Sequence, residues 1–168
     1  MTKSSLARIT LFLAIAAAVT AMVRLWPSEE DRLKAVILKA RKAVSSENRP
    51  NTPVDALARV GELTGCLTRD VVVQVDVFGL GSGTLSGVDE VRAAAMAIPQ
   101  QFPGLQVKID EIQVGLDGPD AAHGSFVATT STGAGRGGGA QEFTVKFRRF
   151  EGRWYLSRIE TVRTLHQR

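Results

Sequence analysis

The sequence predicts an α+β domain in which three helices pack on one face of a strongly curved, mostly antiparallel sheet. Three observations predict it. Apolar residues recur at helical spacing in two segments before residue 65 and in a third near residue 90. From Leu105 onward the pattern switches to alternation with period 2, broken only by short turns. Helices gathered early and strands gathered late argue for helices on one face of an antiparallel meander rather than for repeated βαβ units.

The first 26 residues stand apart. Lys3 and Arg8 precede an uncharged run from Ile9 to Val23, 15 residues long and apolar all round. At 1.5 Å per residue this run spans about 22 Å, short of the roughly 20 residues that a bilayer core wants. Snorkelling by Arg24 and an interfacial Trp26 favour a short uncleaved anchor. The alternative is a signal peptide cleaved near Ala21, after the small-residue pattern Val19-Thr20-Ala21. Either reading leaves the basic end inside and sends residues 27–168 outside the cytoplasm, membrane-anchored in the first case and soluble in the second. The domain division is therefore 1–26 and 27–168.

Within the domain, Ser28 and Asp31 stand in capping-box spacing, and Glu29, Glu30 and Asp31 suit the positive end of a helix dipole. Leu33, Val36, Ile37, Ala40 and Val44 form the apolar stripe of that helix, with Lys34, Arg41 and Lys42 opposite. Thr52, Pro53 and Asp55 open a second helix as cap, first-turn proline and first-turn acid, and Leu57, Val60 and Leu63 are its stripe. "RDVVVQVDVF" then reads as a β-branched strand. "GLGSG" at 79–83 reads as a loop that needs unusual backbone angles. Ser86 and Asp89 cap a third helix that carries Val88, Val91, Ala95 and Ile98 and stops at Pro99.

Four strands follow. "LQVKIDEIQVGL" slips phase near Asp110-Glu111, which predicts a bulge. "AAHGSFVATTST" is next, and "QEFTVKFRRF" turns through Glu151-Gly152 into "RWYLSRIETVRTL". Between them "STGAGRGGGAQEF" holds five glycines from Gly133 to Ala140. A phosphate-binding glycine loop draws its charge from the helix it feeds. This run feeds a strand and lacks Gly-Lys-Ser/Thr, so it reads as a hairpin connection.

Charge and composition narrow the chemistry. After Trp26 there are 18 basic and 17 acidic residues, segregated into an acidic middle and a basic end from Lys146. One tyrosine offers too little aromatic interleaving for a nucleic-acid surface. The single cysteine, Cys66, excludes an internal disulfide and reads as a small buried hydrophobe. Two histidines with no ligand-spaced cluster predict no metal site, and nothing predicts a cofactor.

The stretches "ALARVGELTGCLTRDVVVQVD", "SGVDEVRAAA" and "FTVKFRRFEGRWYLSRIETV" together resemble the nuclear transport factor 2-like superfamily, including its SnoaL-like bacterial members. The resemblance covers roughly residues 28–165. It implies a cone of curved sheet and three helices, and dimerisation through the sheet, here by way of Thr144, Lys146, Arg148, Tyr155 and Ser157. It also implies one of two roles: a binding or accessory domain, or an isomerase, dehydratase or cyclase that places an acid, histidine or tyrosine in the cone. No tyrosine falls in the first helix, where ketosteroid isomerases of the superfamily carry one, and no close His/Asp pair favours a dehydratase. The candidate catalytic residues are Asp76 and His123. The candidate ligand-binding residues are Trp154, Arg158 and Glu160, which simple alternation puts on one face of the last strand, toward the open end of the cone. The sparse ionisable inventory favours a non-catalytic module that binds a small apolar ligand or an envelope protein.

Overall fold

A computed structural model describes residues 27–45, 52–77, 81–131 and 137–162. Three helices, α1 (Glu29–Val44), α2 (Pro53–Thr64) and α3 (Val88–Gln101), pack on a six-stranded mixed sheet. Its strands are β1 (Leu67–Val77), β2 (Gly81–Ser86), β3 (Gln106–Leu116), β4 (Ala121–Ser131), β5 (Gly137–Phe150) and β6 (Arg153–Thr161), in the order β2-β1-β6-β5-β4-β3. All neighbours are antiparallel except β1 and β6, which run parallel.

The caps form as the sequence predicts. Asp31 N–H donates to Ser28 Oγ at 3.1 Å while Ser28 N–H donates to Asp31 Oδ2 at 3.2 Å, closing the capping box. Thr52 caps α2 through Asp55 N–H. Leu33 and Ile37 of α1 are fully buried, and Val36, Ala40 and Val44 pack beside them. They meet Val71, Ala122, Val145, Phe147, Trp154 and Leu156, the core face of the sheet. Cys66 is buried as expected, and burial pushes its thiol pKa up.

Several details depart from the sequence reading. Arg41 lies one turn beyond Ile37 and is half-buried, with its Nε shielded from solvent, so it does not share the free outer face of Lys42. Leu57 is 61% exposed, so the α2 stripe reduces to Val60 and Leu63. Residues 81–83, expected to form a loop, open the edge strand β2, paired antiparallel to β1. Glycines have low strand propensity, and it is the pairing with β1 that makes them extended. The left-handed glycine is Gly87 at φ 86, which takes the N-cap position of α3 in place of Ser86. Ser86 N–H donates instead to Glu90 Oε2 at 2.7 Å. α3 runs through Pro99 to Gln101 before closing. The glycine run is also partly strand, since β5 starts at Gly137 opposite Ser131.

The β3 bulge forms where the phase slips. The register to β4 shifts between Asp110 and Gln113, and Glu111 has φ 55. A second bulge has a larger effect. Phe147 pairs with Leu156 and Lys146 with Arg158, so Ser157 is an extra residue in β6. Beyond it the faces of β6 exchange. Ile159 joins the core, while Arg158 and Glu160 turn to the opposite side from Trp154 and Leu156. The expectation that Trp154, Arg158 and Glu160 share a face is therefore corrected.

Candidate functional site

Under the helices the sheet is packed. Phe147, Leu33, Ile37, Leu156 and Val71 are the largest fully buried side chains, and Trp154 lies among them. Between the three helices lies a crevice of about 20 Å³, lined by Val44, Arg59, Leu63 and Ile98. That is room for about one water molecule.

Trp154 belongs to this interior. Its Nε1–H donates to Glu29 Oε2 at 2.7 Å, and the Arg149 guanidinium lies 5.5 Å from its ring centroid. Glu29 also pairs with Arg32 at 2.9 Å and Arg149 at 3.5 Å. The indole hydrogen bond, with help from both guanidinium groups, holds the Glu29 carboxyl below its ordinary value of 4.5 against the opposing pull of desolvation. This cluster ties the first turn of α1 to the β5–β6 hairpin.

The sign of its pH dependence follows. A depressed folded pKa contributes stability that is present above the ordinary value of 4.5 and is lost as pH falls through the folded pKa. Between pH 6 and pH 3, Tm of the Glu29→Gln variant is therefore expected to fall less than that of the parent chain. Thermal unfolding followed by Trp154 fluorescence in a Trp26→Phe background measures this, and equal falls in both chains would refute it.

The polar chemistry lies on the outer face of the sheet, opposite the helices. There β3, β4, β5 and β6 form a groove of about 320 Å³. Register builds it in two rows. In one row His123 is directly opposite Lys146, and Lys146 is directly opposite Arg158. In the next row Gln113, Ser125, Thr144 and Glu160 follow one another across the four strands. Alternation puts all seven outside, because Ala122, Gly124, Val145 and Ile159 between them face the core.

Two hydrogen-bonded side-chain pairs stand at the groove. Arg158 Nε donates to Glu160 Oε1 at 2.6 Å. His123 Nδ1 lies 2.6 Å from Asp117 Oδ1, and since a carboxylate only accepts, Nδ1 carries the proton. The imidazole is seated over Gly115, where an added Cβ would come within 3.0 Å of the ring.

The structure thus divides the sequence-predicted residues three ways. His123, Arg158 and Glu160 come together in the outer groove. Trp154 is on the other face with its one polar atom already engaged. Asp76 is exposed near the end of β1, outside the groove, and its backbone N–H donates to Thr161 Oγ1 at 2.9 Å. Sequence reasoning missed Asp117, six residues before His123 across the β3–β4 turn. That turn is closed by Asp117 and Gly118 N–H donating to Ala121 O, and its "DGPD" signature was legible. It also missed Lys146 as a groove residue. Ile159, apolar where strict alternation wants a polar residue, was the available sign of the β6 bulge. No group of three or more metal-ligating side chains occurs among the described residues.

No protein-family model and no curated protein sequence matches this chain. Solved structures do. A nuclear transport factor 2-like protein of unknown function from Pseudomonas putida KT2440 aligns with TM-score 0.60 at 15% identity, covering 79% of this chain and 84% of that one. A protein of unknown function with a cystatin-like fold from Nostoc punctiforme PCC 73102 aligns with TM-score 0.58 at 17% identity, over 80% and 91%. A candidate scytalone dehydratase from Novosphingobium aromaticivorans DSM 12444 aligns with TM-score 0.59 at 14% identity, over 90% and 93%. At these identities the likeness is one of architecture. With three helices on a curved six-stranded sheet, this chain has the nuclear transport factor 2-like fold.

Proposed function

We propose that this protein is a non-catalytic binding module that works through the outer face of its sheet. The observation that carries the reading is the contrast between the two faces. The interior is filled by Phe147, Leu156 and Trp154, whereas the outer groove of about 320 Å³ collects seven polar side chains. That volume is at the low end of small-molecule sites. Residues 1–26 would hold the module at a membrane with the domain outside the cytoplasm. They lie outside the described residues, among which no helix is long and apolar enough to cross a membrane. A second copy of the chain is the competing occupant of this face, as the family resemblance implies.

A catalytic reading, in the isomerase, dehydratase or cyclase class, is favoured by one observation, the Asp117–His123 pair at the groove. A base held in one tautomer beside a substrate site is the arrangement proton transfer needs. The alternative of an apolar substrate inside the cone is opposed by Phe147, Leu156 and Trp154, which are buried in the core there.

Backbone-amide NMR of the full chain against a set of neutral and charged fragments tests the module reading. Shifts gathered at Gln113, Ser125 and Thr144 are the expected result. Shifts gathered at Leu33, Phe147 and Leu156 would move the site back into the cone. The same samples, run by sedimentation at tens of micromolar, report whether a second copy covers the groove.

A further inference from the structure

The sheet register leaves Lys146 in an unusual setting. Its two cross-strand neighbours are His123 and Arg158, and its same-face neighbours along β5 are Thr144 and Arg148. None of the four is an acid. Like charges directly opposite one another across strands are destabilising. Three nearby carboxylates are already engaged: Asp117 by His123, Glu160 by Arg158 Nε and Asp70 by Arg148 at 3.0 Å. Among the described residues, the terminal amino groups of Arg158 have no hydrogen-bond acceptor and Lys146 has no carboxylate within 4.0 Å. The row is therefore His123, Lys146 and Arg158, with Asp117 beyond the histidine in the β3–β4 turn and Glu160 in the next row beside the arginine.

We propose that the groove binds a small hydroxy acid or sugar acid through its carboxylate. Lys146 Nζ and the free edge of the Arg158 guanidinium take the carboxylate. A guanidinium edge matches the two oxygens of that group, and an ammonium adds a point charge beside them. The adjacent row of Gln113, Ser125 and Thr144 lies two residues further along the strands, on the same face. It presents amide and hydroxyl groups to hydroxyls on the neighbouring carbons of the ligand. The groove of about 320 Å³ suits a molecule of that size.

This inference rests on the outer groove being the binding surface, and its test separates the two. Isothermal titration of the full chain with D-galacturonate is run beside D-galactose, which lacks the charge, and acetate, which lacks the hydroxyls. Galacturonate is expected to bind at least about tenfold more tightly than either, the factor that one charge-assisted hydrogen bond supplies. Lys146→Gln and Arg158→Gln should each weaken it by about tenfold, and Lys146→Arg should retain it. Both side chains reach the surface, and a Tm no lower than that of the parent chain in each variant shows that the fold is intact. Equal binding of galactose, or galacturonate binding unaffected by either glutamine substitution, would overturn the inference. So would an absence of galacturonate binding. In each of those cases the fragment shifts at Gln113, Ser125 and Thr144 still decide the module reading on their own.

Discussion

Replacing Phe147 by alanine is expected to cost about 3–5 kcal/mol and to lower Tm by roughly 10–20 °C. Phe147 is 1% exposed and sits on the core face of β5, between Ala122 of β4 and Leu156 of β6. Truncation removes the transfer free energy of the ring and leaves a void that a sheet held by cross-strand hydrogen bonds cannot close. The variant also serves a functional purpose. An apolar void in this position stays dry and accepts a small aromatic guest. Excess benzene should therefore raise Tm of Phe147→Ala and leave the parent chain unmoved. Stabilisation of the parent chain by benzene would mean that the cone already admits an apolar ligand, and the catalytic alternative in the cone would then gain over the outer groove.

Gly124→Ala is expected to cost about 1–3 kcal/mol, the range for overpacking a filled interior. Gly124 lies on the core face of β4, paired to Val114 and Val145. A Cβ built there would be 2.7 Å from Gln113 O, 3.1 Å from Val114 Cγ1 and 3.4 Å from Val145 Cγ2. The closest of these is backbone just past the β3 bulge, so rotamer changes cannot relieve it. Gln113 and His123 flank the clash on the groove side, and the groove should distort with the strand. Urea unfolding gives the cost as a lowered midpoint at constant m. A midpoint equal to that of the parent chain would show that β3 can shift freely at this point, and the groove geometry would lose its rigid support.

Much of the fold was legible in the sequence because local physics decides it. The capping box at Ser28 and Asp31 needs only residues three apart. The stripe from Leu33 to Val44 and the alternation of β4 follow from helical and strand periodicity. The Glu151-Gly152 turn, with φ of 50° and 77°, follows from a two-residue connection between strands that must twist together. The β3 bulge was visible as a slip of phase.

The candidate site was legible only in part, and the losses have definite causes. Arg158 and Glu160 were recognised as candidates on a shared face, and they form an ion pair at 2.6 Å. Their face was misread because one extra residue in a strand reverses every side chain beyond it. The β2 strand was missed because its opening residues Gly81, Ser82 and Gly83 include two glycines, which have low strand propensity and become extended only against β1. The groove could not be seen at all, since it joins residues from four strands between positions 113 and 160.

By itself, then, the sequence determined the α+β class, the helix caps and stripes, the apolar segment from Ile9 to Val23 and the segregation of basic charge into the last strands. These depend on neighbours a few residues apart or on composition. Only the tertiary structure decided that Phe147, Leu156 and Trp154 pack together in the core, that Trp154 is bound to Glu29 across 125 residues, and that His123, Lys146 and Arg158 stand in one row on the outer face. Those outcomes depend on strand register and on two bulges. Register is set by burial of the whole core at once, so no local pattern can specify it alone.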